Sequence, residues 1–225
     1  MMIFYVGDIH GKVDDVAAID RAAIDAGVDI IVQVGDFGIH WNEGCAIARY
    51  FKTREQGPTW YTCGGNHDNW DLWQSLQESQ DSNSVELAPG CFYVVRGQVV
   101  NLEGANHIFF GGAESTDKRM RREGVSWWAA ETPSREEFNT FFENMETARP
   151  EVVITHDAPL CIKIDRLDRD TNPTPRNLQN VLDYCDHTPV RWYFGHHHML
   201  ESWEVDGVKF SCCGLHGQYI SSEES

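Results

Sequence analysis

Met2-Ile3-Phe4-Tyr5-Val6-Gly7-Asp8-Ile9-His10-Gly11 opens the chain and decides how the rest is read. Its apolar run has strand length and ends at a glycine, which suits a strand buried on both faces. Val13 to Ala26 follows with apolar Val16, Ala17, Ile19, Ala23 and Ile24, the spacing of a helix. Asp29 to Val34 then reads as a second strand, so the chain starts as a βαβ unit. Cys45 to Thr53 is expected to be helical and Thr59 to Cys63 a strand. Trp70 to Ser79 is expected to be a helix with Leu72, Trp73 and Leu76 inward. Polar clusters follow each of the three strands: Asp8 and His10, Gly35-Asp36, and Gly64-Gly65-Asn66-His67-Asp68. Ligands of open α/β sheets gather where loops leave the carboxyl ends of strands, so these distant residues can converge.

Farther along, Phe92 to Gly111 holds three short apolar runs separated by Arg-Gly and Glu-Gly-Ala-Asn turns, predicting antiparallel hairpins and the start of a second sheet. Ser134-Arg135-Glu136-Glu137 fits a capping box opening a helix to about Ala148, stopped before Pro150. Strand Val152 to Thr155 delivers His156. Asn177 to Cys185 reads as a helix and Trp192 to Gly195 as a strand leading into His196-His197-His198. Glu201 to Val205 and Val208 to Cys212 predict a hairpin about Asp206-Gly207.

The length of 225 residues suits one α/β domain, 1–225, able to bury a large core. Met1 to Val6 leaves no room for a secretion signal, and no apolar run reaches membrane-spanning length, so neither secretion nor membrane insertion is expected. Seven Cys without a Cys-x-x-Cys arrangement predict buried free thiols and a reducing cytoplasm. A formal charge of -17 repels polyanions and disfavours extended nucleic acid as partner. The local exception, Lys118-Arg119-Met120-Arg121-Arg122, either draws an anionic substrate inward or is a solvated basic turn.

Asp, Asn and His after strands suit hard or borderline divalent ions. In Asp8-x-His10 and His196-x-His198, strand alternation would put both side chains on one side, with His197 turned away. Glycines at 7, 11, 35, 64, 65 and 195 allow close backbone approach. Taken singly, each Asp or His could be a helix cap or a surface residue, as Asp68 could cap the helix after it. Five clusters in this order are not explained that way.

On these residues the chain resembles the calcineurin-like metallophosphoesterase superfamily, whose pattern is Asp-x-His, Gly-Asp, Gly-Asn-His-Asp/Glu, His and Gly-His-x-His, matched from residue 8 to 198. Phe110 to Lys118 and Gly124 to Trp128 resemble a narrower bacterial and phage branch of it. The resemblance implies a four-layer αββα sandwich of two mixed sheets flanked by helices. It implies one ion held by Asp8, His10, Asp36 and His198, and another by Asp36, Asn66, His156 and His196, bridged by Asp36. Manganese is expected, with iron, zinc or nickel as alternatives. Paired cations lower the pKa of a shared water and clamp the oxygens of an in-line displacement, so a metal-bound hydroxide would attack phosphorus. His67 is implied as general acid to the leaving oxygen.

One departure narrows the activity. Ser/Thr protein phosphatases continue Gly-Asp-x-x-Asp-Arg-Gly, whereas Phe37-Gly38-Ile39-His40-Trp41 follows here, without the second Asp and the Arg that grips phosphate. His40 or Trp41 could replace part of that grip. Lys118 and Arg121 could neutralise phosphate while Trp127 stacks on a planar group, or the tryptophans could pack a hairpin onto the core. His107 and His187 are expected to be surface or core residues, and His216 to approach the site. The expected activity is hydrolysis of small phosphomonoesters or phosphodiesters, nucleotide-derived ones among them. A nuclease acting on DNA or RNA and a non-catalytic scaffold are the rivals.

Overall fold

The computed structural model describes residues 2–39, 44–80, 82–164 and 169–223. Its first half runs β1 (Ile3–Val6), α1 (Val13–Ala26), β2 (Ile30–Gln33), α2 (Ala46–Thr53), β3 (Thr59–Thr62), α3 (Trp70–Gln80), β4 (Ser84–Ala88) and β5 (Cys91–Val94). The second half runs β6 (Val99–Leu102), β7 (Ala105–Phe110), α4 (Arg135–Ala148), β8 (Val152–Thr155), α5 (Pro173–Tyr184), β9 (Arg191–Phe194), β10 (Leu200–Val205), β11 (Val208–Cys213) and β12 (Tyr219–Ser221). Two six-stranded mixed sheets result, in the orders β12-β1-β2-β3-β5-β4 and β10-β11-β9-β8-β7-β6. Each has four parallel strands inside and an antiparallel strand at either edge.

Side-chain alternation assembles four layers from these sheets. In β1, Ile3 and Tyr5 face the other sheet and join Val32, Phe109, Ile154 and Tyr193, with the Tyr5 and Tyr193 rings stacked 3.6 Å apart. Phe4 and Val6 face outward and pack with residues of α1, α2 and α3. The outer face of the second sheet is covered in the same way by Phe138, Phe141 and Met145 of α4 and Leu178 and Val181 of α5. The αββα sandwich is therefore present. Its interior strand β1 reads as an unbroken apolar run because both of its faces are buried.

The second sheet begins later than expected. Cys91–Val94 pairs in parallel with β3 and belongs to the first sheet, so of the three expected runs β6 and β7 form a hairpin with each other, while β5 forms one with β4. Edge strands β4 and β12 add to the expected set: β4 pairs with its neighbour β5, and β12 is a three-residue strand paired with β1 at the other end of the chain. Helix α5 starts four residues earlier than Asn177, with Pro173 in its first turn, where its missing N–H costs nothing. Ser134 and Glu137 form the expected capping box. All seven cysteines are free thiols. No described helix is long and apolar enough to cross a membrane.

Candidate metal centre

The carboxyl ends of β1, β2 and β3 from one sheet and β8 and β9 from the other open onto one edge of the sandwich. Asp8, His10, Asp36, Asn66, His156, His196 and His198 meet there. The expected reason for the Asp-x-His and His-x-His pairings is wrong, although the convergence is right. His10, Asp36, His196 and His198 have φ of 49°, 55°, 64° and 56°, so the pairs lie on left-handed turns and not on continuing strands. That conformation costs a non-glycine residue roughly 1–2 kcal/mol, and surrounding bonds impose it. The His10 and Ile9 amides both donate to the Asp36 carbonyl, at 2.8 and 3.1 Å. The His196 amide donates to the Asp8 carboxylate at 3.2 Å.

Room for these approaches comes from glycine. A Cβ on Gly65 would lie 2.1 Å from Asp36 Oδ1, and one on Gly195 would lie 2.3 Å from Asp8 Oδ1. Gln33, fully buried, braces the floor. Its amide donates to the Gly7 and Gly35 carbonyls, while its oxygen accepts from the Gly35 amide and the Thr62 hydroxyl. Asp68 does not cap α3. It accepts from the amides of Phe37, Gly38 and Gly65 and so ties the loop after β2 to the loop after β3. Asn69 caps α3 instead, accepting from Leu72. Burial first, then the Asp36 charge, pushes the Asp68 pKa up to about 7.

The donor set calls for a cation. His156 Nδ1 lies 2.8 Å from the Val34 carbonyl, which can only accept, so Nδ1 carries the hydrogen. The Nε2 lone pair then faces Asn66 Oδ1 at 3.1 Å and Asp36 Oδ1 at 3.5 Å, three acceptors pointing at one another. A few ångströms away, His198 Nε2 lies 3.1 Å from both Asp8 Oδ2 and His10 Nε2, and Asp36 Oδ2 is 3.8 Å from His10 Nε2. Donor atoms of Asp8, His10 and His198 lie within 4.8 Å of one another, as do those of Asp8, Asp36 and His156, and of His10, Asp36 and His67. These groups fit divalent ions, with oxygen and imidazole ligands only.

With protons alone, the cluster still gathers positive charge. Burial opposes it, yet Asp36 pushes His156 up to about 10, and in return the charge and hydrogen bond of His156 outweigh burial and hold Asp36 well below the carboxylate range. Burial lowers His10 and His67, and it brings His196 down to about 4, which keeps these rings neutral and able to ligate.

Beside the cluster lies a cavity of about 260 Å³ lined by Asp36, Asn66, His67, Thr116, Asp117, Arg121 and His196 to His198. Arg121 is the basic residue that reaches it. Its Nε pairs with Asp117 at 2.7 Å and its Nη2 donates to His67 Nε2 at 2.5 Å. Lys118 and Trp127 pair with each other instead, the ammonium 4.0 Å from the ring, and neither lines the cavity. Trp128 packs into the core. His40 and Trp41 lie outside the described residues.

His197 turns away as expected, with Nε2 2.9 Å from Asp157, which also meets Arg169. His216 does approach: its ring lies 6.2 Å from that of His10 and its amide donates to the Asp8 carbonyl. His107 is a core residue bonded to Tyr5, and His187 is half-buried against the Pro150 carbonyl. Sequence reasoning missed Gln33, Ser115 and Asp157, and gave Glu131 no role. Asp157 could have been suspected from its place beside His156, whereas the others carry no local signal.

Among solved structures, one superposes with a TM-score of 0.65 at 15% identity, covering 98% of this chain and 93% of its own. The protein TT1561 of Thermus thermophilus gives 0.60 at 15% identity over 98% and 97%. GAP50, titled the anchor in the inner membrane complex of Plasmodium, gives 0.59 at 11% identity over 95% and 71%. At such identities these likenesses concern the fold alone. No curated protein matches the sequence significantly. The sequence profile described as calcineurin-like phosphoesterase matches residues 1–214, nearly the whole chain, and the protein belongs to that family.

Proposed function

We propose that this chain, as one domain, is a dinuclear-metal-dependent phosphoesterase that hydrolyses small phosphomonoesters or phosphodiesters. The observation that carries the reading is Asp36, whose two oxygens face different imidazoles, Oδ1 toward His156 and Oδ2 toward His10, as a bridging carboxylate must. Asp8, His10, Asp36 and His198 would hold one ion, and Asp36, Asn66, His156 and His196 the other. Divalent ions bound there would acidify water and neutralise charge on the phosphoryl oxygens. Manganese is the first candidate. The seven free thiols support a reducing, cytoplasmic setting.

Arg121 takes the part of the missing Gly-Asp-x-x-Asp-Arg arginine, from a different segment of the chain. A guanidinium suits planar, bidentate recognition of phosphate. Because it only donates, His67 Nε2 accepts from it and carries no hydrogen while the pair persists. A phosphoryl oxygen entering the cavity competes for Arg121, and His67 Nε2 becomes free to take a proton from solvent and deliver it to the leaving oxygen. The cavity volume favours a small ester. A nuclease reading draws on exposed Arg119 and Arg122, which flank Arg121 in the chain, and manganese-dependent degradation of single-stranded DNA would favour it.

The test compares a chromogenic phosphomonoester with its bis-ester on chelated protein resupplied with manganese. Asp36→Asn and His67→Ala should abolish or cripple turnover. Arg121→Ala should lower kcat/KM about 10- to 150-fold, the loss of a charge-assisted hydrogen bond of about 1.5–3 kcal/mol. Full turnover by Asp36→Asn would remove the basis of the proposal.

A further inference from the structure

Asn66 is a proposed ligand whose amide has a wrong way round. Its Oδ1 lies 3.1 Å from His156 Nε2 and 2.9 Å from His196 Nδ1, where a ligand oxygen is needed. Turned over, it would offer the cation an NH₂ group, which has no lone pair to give.

The segment between β7 and α4 settles the choice. Asn66 Nδ2 lies 3.1 Å from Ser115 Oγ, and Ser115 Oγ lies 2.7 Å from Glu131 Oε2. The Ser115 amide donates to the other oxygen of the same carboxylate at 2.7 Å. A carboxylate has no hydrogen to give, so the serine hydroxyl donates to Glu131. Its lone pairs then face Asn66 and can receive only N–H. The Glu131 charge thus dictates the amide orientation two bonds away. All three residues are buried, Glu131 to 1% exposure, so water does not exchange freely with these groups. Burial raises the Glu131 pKa, while the Ser115 donors and the Arg121 charge oppose that rise and favour the accepting form.

The far end of the chain is itself anchored. Arg96, also buried, donates to the backbone carbonyls of Gly111, Ala130 and Glu131 and pairs with Glu137 of α4. It holds the two ends of the segment together.

We propose that Ser115 and Glu131 are positioning residues that lock the Asn66 carbonyl oxygen toward His156 and His196, and so set the affinity of the ion held on that side. The inference rests on the two-ion reading above. Partners behind a ligand typically change metal affinity 10- to 100-fold.

Calorimetric titration of the chelated, full-length protein with manganese alone tests it. Wild-type protein should bind two ions. Ser115→Ala should weaken one of them about 10- to 100-fold and leave the other unchanged. Ser115→Thr keeps the hydroxyl and should retain wild-type affinity. Glu131→Gln can offer its own N–H to Ser115, which lets the hydroxyl point at Asn66 and favours the turned amide, so it should weaken the same ion. In an Asn66→Asp background, where either oxygen can ligate, Ser115→Ala should lose most of its effect, a non-additivity that a merely structural role does not produce. Two-ion binding with equal affinity in Ser115→Ala overturns this inference and leaves the phosphoesterase reading standing. Wild-type protein that binds no manganese overturns both.

Discussion

Replacing Gly65 by alanine adds one methyl group where the chain has no room. Its Cβ would sit 2.1 Å from Asp36 Oδ1 and 2.2 Å from the Asp36 backbone nitrogen, against an ordinary contact of 3.4 Å or more. Gly65 cannot easily retreat, because its amide donates to Asp68 at 2.8 Å and its carbonyl accepts from Trp70 at 2.9 Å. Asp36 and the β3 exit must therefore part by roughly 1 Å, a displacement that lowers turnover about 100-fold when it reaches a reacting centre. That is about 2.7 kcal/mol of barrier. Overpacking costs a further 1–3 kcal/mol of stability, about 2–12 °C in Tm for a chain of this size. Gly27→Ala separates this clash from ordinary backbone strain, since Gly27 has φ +69° and nothing within 4 Å of its would-be Cβ. It should lose roughly 1–2 kcal/mol of stability and no activity. Scanning calorimetry and manganese-supported hydrolysis of a chromogenic phosphoester read the two effects. Wild-type turnover in Gly65→Ala, or an equal loss of turnover in Gly27→Ala, would refute the steric argument.

Burial brings the His107 pKa down to about 4, so between that value and about 6.5 the unfolded chain binds the extra proton. Stability from this residue is full above pH 6.5 and is lost as pH falls toward 4, by up to about 3 kcal/mol. Urea unfolding at several pH values should show a shallower acid loss in His107→Gln, and an identical slope would count against the assignment. Asp157→Asn leaves Arg169 and His197 without their buried anion and should cost about 3–5 kcal/mol of unfolding free energy; a loss under about 1 kcal/mol would show that the pair contributes little. Manganese added to chelated protein should raise Tm, by about 2.7 kcal/mol of stability at 100 times Kd, and this rise should largely vanish in Asp36→Asn.

Much of the fold is written locally. Helix α1 occupies the expected Val13–Ala26, because an i, i+3, i+4 apolar pattern and the glycine after it act within a few residues. The capping box before α4 and the Asp206-Gly207 hairpin are legible for the same reason. The assignment of Cys91–Val94 to the first sheet is not local, since a strand shows its propensity and not its neighbour. β12 is stabilised by pairing with β1 from the other end of the chain, which no window of sequence contains, whereas β4 and β5 form a local hairpin.

The candidate site divides along the same line. By itself, the chain's order of Asp, Asn and His clusters after apolar runs pointed to convergence of Asp8, His10, Asp36, Asn66 and His67 and to oxygen and imidazole chemistry, because ligand chemistry is a property of residue types, while the full set of seven candidate ligands came from the family resemblance. Only the folded sandwich decided how they meet, on left-handed turns where strand alternation was expected, because backbone hydrogen bonds between separate loops impose those angles. It also decided that Arg121 and not Lys118 reaches the cavity, and that Ser115 and Glu131 stand behind Asn66. Such partnerships depend on distances of a few ångströms between segments far apart in the chain, and only packing sets those distances.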